Sequence, residues 1–323
     1  MTKHNIFTKK NLKRIYNDYS YLISFATLVL IALFFNPRFL TYSSIMTLLS
    51  NSTITGIVAC GMTLIIISGM IDLSIGSTVA LVAGLGVLAL NSTGSACIML
   101  LFCLGLGIVL GAFNGTLVAY AGMAPFIATL ATQSAYRSII TQIGKGGPFS
   151  VDKDILTSFS QIANGKLFGQ IPYLPLFFIG ITVITWVILT KTKFGCYVFA
   201  TGSNERAAML SGINIKKIKL IIFSYIGLLA GLSSLLLVSR MSSITASNAG
   251  TGYELDAIAA VAIGGTPMSG GRGRVLGTFL GAVMMQMIST ILIAAKVDPF
   301  LTGLVKGIII IVAIIFQKDN LQA

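Results

Sequence analysis

Long apolar runs closed by short polar or glycine-rich interruptions set the pattern of this chain. The run from Tyr21 to Phe35 follows a basic, polar stretch, and no small-residue cleavage site comes after it, because Phe34-Phe35-Asn36-Pro37-Arg38 is bulky. It therefore predicts a retained first span. Span two is expected at about Ile45 to Ser68, span three at Ile75 to Leu90, span four at Ala96 to Ala121 and span five at Pro125 to Ile143. After a polar loop from Gly144 to Gln170, span six runs from Ile171 to Leu189 and span seven from Ile218 to Val238. Span nine is expected at Val275 to Ala295 and span ten at Pro299 to Phe316. Helix eight, Leu255 to Ile263, is too short to cross, since a span needs about 20 apolar residues. It is followed by Gly264-Gly265-Thr266-Pro267 and Ser269-Gly270-Gly271, and irregular backbone at membrane depth is tolerated only against protein or water. A partial helix beside a pathway is the expectation.

Composition fixes the class. The chain is 55% hydrophobic and 10% charged over 323 residues, where a soluble domain carries roughly 25% charged residues. The fold class is an all-α polytopic membrane protein of about ten spans. A net charge of +13 raises nucleic acid as a partner, but the lysines and arginines sit at the ends of apolar runs, with no aromatic-interleaved basic face. Topology explains the charge instead. With the N-terminus inside, fourteen cations fall on the cytoplasmic side, including Lys191, Lys193, Arg206, Lys216, Lys217 and Lys219, and six fall outside. Both termini are then cytoplasmic. The chain divides into a basic tail (1–20), a transmembrane domain (21–317) carrying a cytoplasmic loop at 190–217, and a short tail (318–323). Cys60, Cys97, Cys103 and Cys196 lack metal spacing, and the single His4 lies in the polar tail.

The two halves echo each other. Ala124-Pro125-Phe126-Ile127-Ala128-Thr129-Leu130 opens span five, and Asp298-Pro299-Phe300-Leu301-Thr302-Gly303-Leu304 opens span ten. Glycines at 107, 111 and 115 in span four parallel those at 273, 277 and 281 in span nine. An inverted repeat of spans two to five against seven to ten fits this pattern. Close helix packing explains the glycines equally well.

Little here points to an enzyme. No G-x-x-x-x-G-K-[ST] is present, so the chain holds no P-loop nucleotide site of its own. Gly270-Gly271-Arg272-Gly273 lacks the preceding strand of a dinucleotide site. Asp72, at a span junction, has two readings: it lines a solute route, or it caps the helix that follows, and the cap is favoured. Glu254 and Asp256 suit the positive end of helix eight. Arg137 either snorkels to the surface or faces a cavity. Among uncharged polar residues, Asn51, Thr53 and Thr55 in span two and Asn114 and Thr116 in span four are the candidates for contacting a polar solute in transit.

The stretch from Thr201 to Lys219 is the longest basic polar segment between spans. Gly202, Ser203 and Asn204 offer a flexible entry and capping groups, Glu205 suits a first helical turn, Ala207 and Ala208 form helix, and Gly212 stops it. The pattern G-x-N-x-x-A-A-x-x-x-G at Gly202 to Gly212 resembles the coupling-helix loop of sugar-type ABC transporter permeases. So do Tyr253 to Thr278 and Gly61 to Ser77, and the likeness, to ribose-type permeases, runs from about Asn36 to the end. The broader importer pattern E-A-A-x-x-x-G is not met literally: Arg206 stands where its Glu would be, and Glu205 is shifted by one.

The resemblance implies a permease subunit in a bacterial inner membrane that passes on a monosaccharide delivered by an extracytoplasmic sugar-binding protein. It implies pairing with a second permease chain, identical or paralogous. It further implies that Gly202, Ser203, Asn204, Glu205, Arg206, Ala207, Ala208 and Gly212 form the contact with separate ATPase subunits, which use the ATP and magnesium. This chain would carry no cofactor of its own. The alternative is a stand-alone transporter driven by an ion gradient, which would want intramembrane acids. Only Asp72 approaches that.

Overall fold

In the computed structural model, which describes residues 9–298, 301, 303–308 and 311, the apolar runs are helices. In chain order they are α1 (Lys9–Phe35), α2 (Tyr42–Ile67), α3 (Ile75–Thr93), α4 (Ala96–Ala119) and α5 (Pro125–Ile143). There follow α6 (Lys153–Asn164), α7 (Tyr173–Lys191), α8 (Lys193–Ser203), α9 (Glu205–Leu210) and α10 (Ile215–Met241). Last come α11 (Tyr253–Ile263) and α12 (Val275–Ala294). Span ten and the tails 1–8 and 318–323 lie wholly or largely outside the described residues.

Six of these helices, α2, α3, α4, α7, α10 and α12, are long and apolar enough to cross a membrane. Two expected spans fall short: in α1 only the shorter stretch Leu22–Phe35 is apolar, and α5, 19 residues long like α3, is not apolar enough to qualify. Its second half carries Gln133, Ser134, Arg137, Ser138, Thr141 and Gln142. α11 is the short helix that its composition predicts, 11 residues or about 16 Å long.

The core is built on α2, α3 and α10, whose side chains are mostly buried. α4 lies along α10 through small residues. A Cβ added to Gly107 would stand 2.2 Å from the Gly227 carbonyl oxygen, and one on Gly111 would meet that of Phe223 at the same distance. The matching glycines of α12 serve another partner, with Gly277 and Gly281 packed on Gly264 and Ala260 of the α11 region. Both glycine series are packing surfaces. Thr63 and Thr278, 2.7 Å apart, share a hydrogen bond that joins α2 to α12.

At one end of the bundle the segment 144–170 is more ordered than its polar composition suggests. β1 (Pro148–Ser150) pairs antiparallel with β4 (Ser243–Thr245), Phe149 opposite Ile244. Asn91, at the end of α3, donates to the Ser150 carbonyl and accepts from the Asp152 amide. α6 buries Phe159 and Ala163, and Ser239 of α10 bonds the backbone of both. A hairpin of β2 (Lys166–Leu167) and β3 (Ile171–Pro172) presents Phe168 at its tip, 89% exposed. α9 lies at the opposite end.

Candidate functional site

The basic loop resolves into two helices meeting at Asn204. That residue caps α9, its Oδ1 accepting from the Ala207 amide at 2.9 Å, and Gly212 ends the turn in the left-handed region at φ +85°. Ser203 and Gly202, expected as a flexible entry, are instead the last turn of α8. Gly195 and the Thr201-Gly202-Ser203 end, poor helix formers, hid that helix, and Lys216 and Lys217 belong to α10 rather than to the loop.

The eight residues of this motif face two ways. Gly202 is half-buried and Ala208 buried, whereas Ser203, Asn204, Glu205, Arg206, Ala207 and Gly212 are exposed. Glu205 pairs with Lys219 at 2.8 Å, closing α9 onto the start of α10. A pair with so exposed an acid contributes at most about 1 kcal/mol. Met209 and Leu210, which the sequence marks only as helix formers, are exposed, the latter at 80%. Two large apolar side chains held outward on a six-residue helix form a small knob.

Behind that knob the bundle is tight. A Cβ on Gly202 would stand 1.7 Å from the Ile67 carbonyl oxygen, and this same oxygen accepts the Gly271 amide at 2.8 Å. The end of α2, the end of α8 and the turn between α11 and α12 thus meet at one backbone carbonyl. Its position adjoins residues 68–74, the irregular segment that leads to Asp72.

Asp72 is 2% exposed. Its Oδ1 accepts from the Ser74 amide at 2.8 Å and the Ser74 hydroxyl at 2.7 Å, which fixes the turn into α3. Asn114 Nδ2 donates to the Ser74 oxygen at 2.7 Å, and the Tyr136 hydroxyl reaches Asn114 Oδ1. Two of the residues singled out for the pathway, Asp72 and Asn114, therefore lie in one hydrogen-bonded chain across α3, α4 and α5. The others are apart from it. Asn51 accepts from the Arg240 guanidinium, buried Thr53 bonds the Leu49 carbonyl, and Thr55 bonds that of Ser52. Thr116 bonds Ala112 on an exposed face of α4.

A second polar centre lies between α5 and the chain entering α11. Gln133 donates to Glu254 Oε1 at 3.3 Å. Arg137 Nη1 donates to the Ala246 and Ala249 carbonyls at 2.6 and 2.7 Å, so it holds the backbone that descends from β4 to α11. Asp256 pairs with Lys306 at 3.1 Å. Gln133 is about 12 Å along α5 from Pro125 and about 15 Å from Ile143, close to the middle of the helix. Gln133 is not among the uncharged polar candidates that the sequence marks in spans two and four. It sits one turn before Arg137, and that spacing is the clue.

Residues 44–314 match the family model described as branched-chain amino acid transport system / permease component. The chain is 36% identical over 308 residues to the ribose import permease of Escherichia coli (strain K12), covering 93% of each. It is 39% identical to the ribose import permease of Bacillus subtilis (strain 168), over 91% of this chain and 90% of that one. The galactose/methyl galactoside import permease of Escherichia coli (strain K12) is 31% identical over 89% of this chain and 90% of its own length. No solved structure matches. With the family model spanning nearly all of the helical bundle and ribose import permeases aligned over nine-tenths or more of their length, the chain belongs to this family of ABC transporter permease components.

Proposed function

We propose that this chain is the membrane-spanning subunit of an ABC importer for a monosaccharide of the ribose kind. The observation that carries the assignment is the similarity to two ribose import permeases over nine-tenths or more of their length. The family model is described for amino acid transport, but the similar proteins named above import sugars, which favours the carbohydrate class.

The knob on α9 supports the coupling role. Met209 and Leu210 would enter a groove of a separate ATPase subunit, with Glu205 and Arg206 at the rim. Motion of the ATPase would then reach the bundle through Gly202 and Ile67. The α9 end is assigned to the cytoplasm with both termini, following the surplus of cations there. α6 and the Phe168 hairpin would face the sugar-binding protein outside, and a second permease chain would complete the membrane unit. Asp72-Leu73-Ser74 ahead of α3 and Glu254-Leu255-Asp256 opening α11 support the inverted repeat, each acid preceding or starting a helix inside the bundle.

The test is extraction of a tagged chain in mild detergent with identification of what accompanies it. The proposal expects a P-loop ATPase at near-equal amount, lost when Leu210→Glu is introduced and reduced by Glu205→Ala with Arg206→Ala, while the chain stays in the membrane. Recovery of the chain without an ATPase across several mild detergents contradicts it.

A further inference from the structure

The outward surfaces of this bundle are of two kinds. α4 exposes Ile98, Leu101, Phe102, Val109 and Phe113, a face suited to hydrocarbon. α5 is mixed: Phe126, Ile127, Leu130, Ile139 and Ile143 are exposed, but beside them Ser134 and Ser138 are exposed and Gln133 and Arg137 half-buried, and on a helix these polar residues fall with Thr141 along one stripe. Polar groups facing outward at membrane depth need water or polar partners, because lipid supplies neither. That is the physical content of α5 having the length of a span without its hydropathy.

Two further observations lie on the stripe. A cavity of about 450 Å³ opens against Arg137, Ser138 and Thr141 toward the β1 end of α5. Beyond the cavity, one turn along the stripe from Arg137, Gln133 meets the Glu254 carboxylate, one oxygen of which takes the Gln133 amide while the other, Oε2, is buried with no hydrogen-bond partner. Oε2 lies against Gly76, where a Cβ would come within 2.4 Å of it. An acceptor so placed is costly unless some state of the protein satisfies it.

We propose that the solute-contacting wall of the translocation route is this α5 stripe, Gln133, Ser134, Ser138 and Thr141 with Arg137 above and Glu254 below, and that its ligand class is a neutral polyhydroxylated solute. The assignment rests on the sugar-permease function proposed above. Hydroxyl and amide groups both donate and accept, which suits a sugar, and hydroxyl contacts made in water are weak enough to release it. Separation of α3 from the chain entering α11 would uncover Oε2 for a sugar hydroxyl. The wall is thus α5 and the start of α11, not the Thr53 and Thr55 face of α2. The competing occupant is a second copy packed dry on Ala131, Ser134, Ala135 and Ser138, whose four-residue spacing permits close helix approach.

Single cysteines separate these. In the full chain carrying Cys97→Ser and Cys196→Ser, with Cys60 and Cys103 buried, Ser134→Cys and Ser138→Cys are compared with Val109→Cys. The probe is the membrane-impermeant thiol reagent 2-sulfonatoethyl methanethiosulfonate, applied to membranes with and without ATP. A wet wall gives modification at least about tenfold faster at 134 and 138 than at 109 in one nucleotide state or both. Rates equal to that at Val109→Cys in both states overturn the proposal and favour dry packing. In parallel, Gln133→Leu should lower maximal sugar uptake severalfold while ATP hydrolysis by the complex persists, and unchanged uptake also contradicts the wall. Labelling requires no ATPase, so fast labelling beside ATP-independent uptake would refute the importer assignment and leave the wall standing.

Discussion

Gly202, in the last turn of α8, lies so close to the Ile67 carbonyl that even a methyl group cannot be inserted between them. The obstacles are backbone atoms, Ile67 O at 1.7 Å from the ideal Cβ and Gly271 N at 2.8 Å, so no side chain can rotate away. Gly202→Ala must push α8 off the end of α2, which costs about 1–3 kcal/mol or more and moves α9 with it. Sugar uptake should fall roughly tenfold or more while membrane insertion persists. Gly105→Ala, where the added Cβ meets nothing within 4 Å, is the control and should keep uptake near wild type. Equal uptake by the two variants would remove Gly202 from the transmission path.

Asp72 invites a test of charge against geometry. Its role in the turn needs only an acceptor at Oδ1 for the Ser74 amide and hydroxyl, which Asn supplies and Leu does not. Asp72→Asn should retain about half or more of the uptake, whereas Asp72→Leu strands a buried donor at a cost of about 1–3 kcal/mol and should yield little folded protein. Normal folding of Asp72→Asn with complete loss of uptake would show that the charge itself is used.

Arg137 anchors the descent into α11. Arg137→Met removes the donor of the Ala246 and Ala249 carbonyls and should destabilise the detergent-solubilised chain by about 3 kcal/mol, seen as a lower midpoint of thermal aggregation. Limited proteolysis near residues 246–252 should accelerate in step. A midpoint equal to wild type would mean that those carbonyls find water unaided.

The Thr63 and Thr278 contact offers a double-mutant cycle. Each hydroxyl also lies near a carbonyl of its own helix, Ala59 at 2.8 Å and Arg274 at 3.5 Å, so neither is stranded when its partner is lost. Replacement by Val singly and together should give a coupling energy of about 0.6 kcal/mol, the usual size between membrane helices. A coupling near zero would mean that α2 and α12 are held by packing alone.

The helices were legible because apolar runs and their breaks mark them: α5 has the bounds expected of it, though its polar second half keeps it out of the six apolar enough to cross a membrane, and α11 is short because only about nine apolar residues are there to fold. α8 was not legible. Its last turn reads Thr201-Gly202-Ser203, a poor helix former that tertiary contact at Ile67 holds in place. The same limit applied to polar residues. Thr53 and Thr116 look alike in sequence, yet one is buried and the other exposed, because orientation about a helix axis depends on neighbours. The α5 stripe could have been found, since a span with four polar residues within six positions, Gln133 to Ser138, is not made for lipid.

The most direct test of the account is uptake of radiolabelled ribose into proteoliposomes holding this chain with its co-purified ATPase, with the sugar-binding protein outside and ATP inside. The account predicts accumulation that needs both ATP and the binding protein and survives ionophores that collapse ion gradients. Accumulation by this chain alone, indifferent to ATP and abolished by an ionophore, would contradict it.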